Sequence, residues 1–119
     1  MKNTLVIGAS ENPERYANKA IRMLRAHDFP VFAVGLRSGV VEDVSIQTGL
    51  PSFHNVDTVT LYVGPANQSA YYDYILSLKP ARIIFNPGTE NPTFEAKARE
   101  AGITCLQACT LVMLSIGAY

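Results

Sequence analysis

The 119-residue chain carries ten Lys and Arg against ten Asp and Glu, so its formal net charge is zero, with 48% hydrophobic and 17% charged residues. That composition is globular and argues against a long disordered tail, while the charge balance removes any general attraction to nucleic acid or an anionic membrane, leaving phosphate-binding charge to be local. The length suits one domain, residues 1–119, with a real core and no separate substrate domain.

Met1, Lys2 and Asn3 lead straight into the apolar run Thr4–Ile7 and then a glycine, with no h-region of a secretory signal. No stretch approaches transmembrane length. The first run reads as a strand ending at Gly8-Ala9-Ser10. A helix follows from about Pro13 to Ala26, with Ala17, Ile21, Leu24 and Arg25 on one repeating face, Asn12 as N-cap and Pro13 at the first helical position. Val31–Val34 is the second strand and closes a right-handed βαβ unit at Gly35-Leu36-Arg37-Ser38-Gly39.

Residues 40–55 are the least legible part. They contain a turn at Thr48-Gly49-Leu50-Pro51 but no element the pattern compels. The third strand runs from Thr58 to Val63 and stops at Gly64-Pro65; a helix after Asn67 directs Ala70, Tyr74, Ile75 and Leu78 to the sheet and ends at Lys79-Pro80. Ala81 to Phe85 is the fourth strand. A helix from Pro92 to Glu100, closed by Gly102, leads to a fifth strand from Ile103 to Leu106. Thr110 to Ile116 is apolar throughout and reads either as a short buried helix or as a patch covered by another subunit. Strands alternating with helices predict an α/β fold: a Rossmann-like three-layer α/β/α domain with a mainly parallel five-stranded sheet.

Ligands of such sheets bind beyond the carboxyl ends of the strands. The segments to inspect are therefore Gly8 to Asn18, Gly35 to Arg37, Gly64 to Asn67 and Asn86 to Glu90. Gly8-Ala9-Ser10-Glu11-Asn12-Pro13 stands where a G-x-G-x-x-G fingerprint belongs but keeps only the first glycine. Gly8 still permits the tight turn, Ser10 adds a hydroxyl and an amide, and the helix start offers N–H groups and a positive dipole end to a phosphate. A turn at Gly8 and a plain helix cap at Asn12 account for the same residues equally well.

After the second strand no carboxylate appears until Glu42, which disfavours plain NAD; Arg37 suits a ribose phosphate such as that of coenzyme A or NADP. A lone loop arginine is more often simply solvated. Val63-Gly64-Pro65 and Asn86-Pro87-Gly88-Thr89 are tight turns that keep backbone close to the crevice. Glu90 reads as a solvated loop residue and Glu95 as a helix-face residue, neither with a visible partner for base chemistry.

His27 and His54 lack neighbours at metal-ligand spacing, so no metal site is expected. Cys105 and Cys109 have neither CxxC spacing nor a flanking histidine, and read as reduced thiols serving as small buried hydrophobes. A cytoplasmic address is the expectation.

Taken together, Val6-Ile7-Gly8-Ala9-Ser10, Asn12-Pro13 with Arg15-Tyr16 and Asn18, Val63-Gly64-Pro65, Phe85-Asn86-Pro87-Gly88 and Ala101-Gly102-Ile103 leading to Cys109 give the chain a resemblance. It resembles, along nearly its whole length, the small coenzyme A-binding proteins related to the N-terminal domain of the succinyl-CoA synthetase α subunit. The resemblance implies that Gly8, Ala9, Ser10, Asn12, Arg15, Tyr16 and Asn18 hold the coenzyme's phosphates and nearby groups. It also implies that Gly35 and Arg37 flank the adenosine, and that Val63, Pro65, Asn86 and Gly88 line the crevice toward the pantetheine. Leu36-Arg37 departs from the Asn-Pro pair common in the family after the second strand. The synthetase's phosphorylated histidine belongs to a second domain, so that activity does not carry over.

The leading reading is a binding module for coenzyme A or an acyl-CoA, without catalytic residues, metal, nucleic acid or membrane partner, and assembled as a homo-oligomer through the C-terminal apolar segment. The alternatives are an NADP-binding reductase-like subunit completed by a partner, and a vestigial nucleotide fold that serves as an assembly module.

Overall fold

The computed structural model describes residues 2–119; Met1, where the reading of the N-terminus begins, lies outside them. The strands are β1 (Thr4–Ile7), β2 (Val31–Val34), β3 (Gly39–Val41), β4 (Val44–Gln47), β5 (Thr58–Leu61), β6 (Arg82–Phe85) and β7 (Thr104–Gln107). They form one sheet in the order β3-β4-β2-β1-β5-β6-β7. Every pairing is parallel except the β3–β4 hairpin at one edge. The sheet therefore has seven strands among the described residues, not the expected five. Both additions come from the stretch after Arg37: β4 alternates buried Val44 and Ile46 with exposed Ser45 and Gln47, and Glu42, at φ +54, turns the hairpin where Gly or Asn is usual.

Among the described residues four α-helices cover both faces: α1 (Tyr16–Ala26), α2 (Tyr72–Leu78), α3 (Pro92–Glu100) and α4 (Thr110–Ser115). Leu5, Ile7, Val59, Leu61, Ile83 and Phe85 pack against Ile75 of α2 and Phe94 and Ala98 of α3. Val6, Ala33 and Ile84 point the other way, against Ala17, Ile21 and Leu24 of α1 and Leu114 of α4. This two-sided burial explains the unbroken apolar runs of β1 and β6, and each large side chain so buried stabilises the fold by about 1.5–3 kcal/mol.

Several boundaries differ from those the sequence suggests: β5 ends at Leu61 and not Val63, β6 begins at Arg82 and not Ala81, and β7 covers Thr104–Gln107 and not Ile103–Leu106. Asn12 does not cap α1 and Pro13 is not its first residue: the helix starts at Tyr16, with Arg15 at the N-cap making no side-chain bond. Two 3₁₀ turns, Pro65–Asn67 and Ser69–Tyr71, precede α2, which leaves Ala70 exposed instead of facing the sheet. At the C-terminus, α4 buries Thr110 and Leu114 while Val112 and Ile116 remain largely exposed, so the segment is both a short helix and an apolar patch.

The end of the sheet opposite the strand C-termini is closed by Tyr119. Its ring lies 4.4 Å from the Arg82 guanidinium and 4.9 Å from the Phe29 ring, and its hydroxyl bonds Thr4 Oγ1. No helix among the described residues is long and apolar enough to cross a membrane.

Candidate functional site

Strand order reverses at β1, which has β2 on one side and β5 on the other. Crevices open at such a point, beyond the strand C-termini. Here one of about 1170 Å³ is lined by the loops that follow β1, β2, β5 and β6.

Its floor is set by backbone packed so closely that side chains are excluded. The amides of Gly8 and Ala9 both donate to the Val34 carbonyl, at 2.9 and 3.0 Å. Gly8 has φ +94, and a Cβ there would stand 2.7 Å from the Tyr62 carbonyl oxygen. At Gly35 a Cβ would overlap the Ala9 carbonyl oxygen. The loop after β1 is thereby held between the ends of β2 and β5, and it turns outward toward α1.

Asn12 accepts the Glu14 amide at 3.0 Å, and the Arg15 amide bonds the Asn12 carbonyl at 3.1 Å. This local turn uses up the cap that the sequence seemed to supply. The amides of Ser10, Glu11, Tyr16, Ala17 and Asn18 consequently have no hydrogen-bond acceptor within the described residues. They mark the positive end of the helix dipole, a geometry that suits an anion. The Arg15 and Arg37 guanidiniums are also unpaired among the described residues, whereas Arg25 and Arg99 bind Asp43 and Glu95. Tyr16, two-thirds exposed, carries the Lys19 ammonium over its ring, 5.1 Å from the ring centroid.

Of the sequence-predicted residues, Gly8, Ala9, Ser10, Asn12, Arg15, Tyr16, Gly35, Arg37, Val63 and Gly88 line this crevice. Three do not. The Asn18 side chain is buried, donates to the Ser10 carbonyl at 2.9 Å and accepts from Arg22 Nε at 2.8 Å, so it shapes the loop from behind. Asn86 is a girder: it donates to Thr60 Oγ1 and the Leu61 carbonyl and accepts the Thr110 amide. Pro65 opens a 3₁₀ turn on the surface.

The lining also contains Glu11, Leu36, Asn67, Tyr71 and Thr89, which the sequence reading did not single out. Glu11, Leu36, Asn67 and Thr89 lie in the segments inspected. Glu11 reaches across the crevice to accept the Val40 amide at 2.9 Å and rests on Gly39, where a Cβ would overlap it. Tyr71 had no signal, because it belongs to a 3₁₀ turn without periodicity.

Behind the β5 and β6 turns runs a buried polar chain. Gln68 Nε2 donates to the Val63 and Thr89 carbonyls at 2.8 and 2.7 Å, fixing the gap between the two turns. Asn91 donates to Gln68 Oε1, caps α3 through the Phe94 amide, and gives its own amide to Glu95. Glu95 is a helix-face residue, as expected, but a buried one, and it has partners the sequence did not show: besides the Asn91 amide it accepts from Gln107 Nε2. Glu90 is exposed and accepts the Gly88 amide at 2.9 Å.

Among the described residues no group of His, Cys, Asp and Glu is placed to hold a metal ion. His27 Nδ1 lies 2.8 Å from the Met23 carbonyl, and both cysteines are free. Burial pushes the Cys105 thiol up, which disfavours the reactive thiolate.

Comparison with known proteins bears on this geometry. A crystal structure described as that of an uncharacterized protein is 48% identical over 100% of this chain and 98% of that one, with a TM-score of 0.97. A hypothetical protein from Pyrococcus horikoshii is 25% identical, covering 97% of this chain and 82% of that one (TM-score 0.86). A protein from Thermus thermophilus is 22% identical over 99% and 90% of the two chains (TM-score 0.86), a likeness of fold alone. A comparison with curated proteins gives no match. The model of one family, described as a CoA binding domain, matches residues 2–115. With the match spanning almost the entire sheet and all of the crevice loops, this chain belongs to the CoA-binding domain family.

Proposed function

We propose that this chain binds coenzyme A, or an acyl-coenzyme A, across the C-terminal ends of its strands, and that it does so as a one-domain binding module without catalytic residues of its own. The observation that carries the reading is the uncapped start of α1. Its free amides, with the unpaired Arg15 and Arg37, make a local anion site in a chain of zero net charge.

In this reading the diphosphate sits over Ser10, Glu11 and the first turn of α1, Arg37 takes the ribose phosphate, and the pantetheine runs toward Val63 and Gly88. The strand order, with its reversal at β1, supports the Rossmann-like assignment. Two free cysteines suit a cytoplasmic address. Exposed Val112 and Ile116 support a homo-oligomer through α4.

NADP carries a ribose phosphate too, and it is the ligand of the alternative reading, a reductase-like subunit. Isothermal titration with coenzyme A, dephospho-coenzyme A and NADPH separates the two. Coenzyme A is expected to bind, and dephospho-coenzyme A at least about tenfold more weakly, through loss of the Arg37 contact. Tighter binding of NADPH than of coenzyme A favours the alternative; no binding of any coenzyme A form at millimolar concentration overturns the proposal.

A further inference from the structure

The crevice is divided by charge. All of its charged lining residues, Glu11, Arg15 and Arg37, come from the loops after β1 and β2. The half built by the turns after β5 and β6 is lined by uncharged residues, with Val63, Asn67, Ala70, Tyr71, Pro87 and Thr89 forming its walls.

Topology keeps cations away from that half. In a parallel sheet each helix starts beside the strand C-termini and runs back to the opposite end. Lys79 therefore sits at the C-terminus of α2, Lys97 and Arg99 in the last turn of α3, and Arg82 at the start of β6, all remote from the crevice. The carboxylate in contact with its lining is that of Glu90, which holds the Gly88 amide, and the first turn of α2 carries an acidic residue, Asp73.

The helix start on this side is closed as well. Unlike α1, α3 is capped, by Asn91 at the Phe94 amide and by Glu95 at the Asn91 amide. Its positive end already faces a buried carboxylate, which leaves little field for an incoming anion. What this half does offer is neutral. The Asn67 side-chain amide and the Tyr71 hydroxyl belong to lining residues, while the Thr89 hydroxyl is engaged with the Asn86 carbonyl.

We infer that the ligand's thioester end must be uncharged: the site takes free coenzyme A or thioesters of neutral acids, and discriminates against dicarboxylic acyl groups such as succinyl and malonyl. The inference rests on the proposed coenzyme A reading, since it is the coenzyme's charged nucleotide half and neutral pantetheine half that match the two halves of the crevice. A terminal carboxylate on the acyl group enters a half of the crevice that has no counter-ion in its lining and has the Glu90 carboxylate at its edge, where a second negative charge is disfavoured.

The test is isothermal titration of the full chain with coenzyme A, butanoyl-CoA and succinyl-CoA, repeated with Asn67→Lys. Butanoyl-CoA is expected to bind within about threefold of coenzyme A, and succinyl-CoA at least about tenfold more weakly. Asn67→Lys supplies the missing cation and should narrow that gap by strengthening succinyl-CoA more than butanoyl-CoA. Succinyl-CoA binding as tightly as butanoyl-CoA overturns the inference and leaves the coenzyme A reading intact, as does an Asn67→Lys effect equal on both thioesters. Failure of coenzyme A itself to bind overturns the underlying reading instead, and the inference with it.

Discussion

Gly35 shows how a single missing side chain shapes the crevice. Nothing in its neighbourhood demands a positive φ; the reason for glycine is the Ala9 carbonyl oxygen, which stands where a Cβ would go. Gly35→Ala must therefore push the loop after β1 off the end of β2, and is expected to lower stability by about 1–3 kcal/mol in denaturant unfolding. Tyr62 is a different case. Its hydroxyl oxygen is buried without a partner among the described residues, because the nearby Thr60 and Thr110 hydroxyls bond each other at 2.8 Å. Burial pushes this hydroxyl up to about 12 from a phenol's 10.0. The folded chain then keeps the proton while the unfolded chain loses it, so stability is unaffected below pH ~10 and falls between pH ~10 and ~12. Tyr62→Phe should be neutral or slightly stabilising at pH 7, because no hydrogen bond is lost, and should flatten that alkaline decline in pH-dependent unfolding. At this scale the sequence was partly legible. Gly8, Ser10, Arg15 and Arg37 stand out by type and by position after a strand, whereas Glu11 does not, because its partner is a backbone amide in a strand the pattern left unread.

Among the elements, legibility followed the strength of the local signal. Pro92–Glu100 has an N-cap Asn, a proline at its first position and a closing Gly102 at φ +82, and the structure gives the same bounds. The start of α1 misled because Asn12-Pro13 has the chemistry of a cap, yet the Asn12 side chain closes a local turn three residues early. That displacement is what leaves the helix amides open to a ligand, so the local misreading coincides with the functional feature. The β3–β4 hairpin escaped notice because its strands have three and four residues and its turn is Glu42-Asp43. Similarly, periodicity cannot tell whether an apolar six-residue helix is covered by its own fold or by a second copy. The exposed apolar side chains are Val112 on α4 and Ile116 at its C-cap, while Leu111 and Met113 are half-buried. Val112→Glu with Ile116→Glu is thus the variant to compare with wild type by gel filtration: assembly through α4 predicts later elution as a monomer, and an unchanged volume contradicts it.

For the whole molecule, parallel topology gathers every crevice loop at one end of the sheet and sends the opposite end to Tyr119, Arg82 and Phe29 for closure. The alternation of strands and helices made the α/β class and the position of the crevice legible in advance; the division of that crevice into charged and neutral halves was not, since it depends on which end of each helix carries the cations. Central to the account is the claim that the amides at the start of α1 receive the coenzyme's diphosphate. The most direct test is an amide NMR titration of the ¹⁵N-labelled chain with coenzyme A. The largest shifts are expected at Ser10, Glu11, Tyr16, Ala17 and Asn18, with smaller ones at Arg37 and Gly88. Saturating shifts confined to other parts of the chain, with those five amides unmoved, would contradict it.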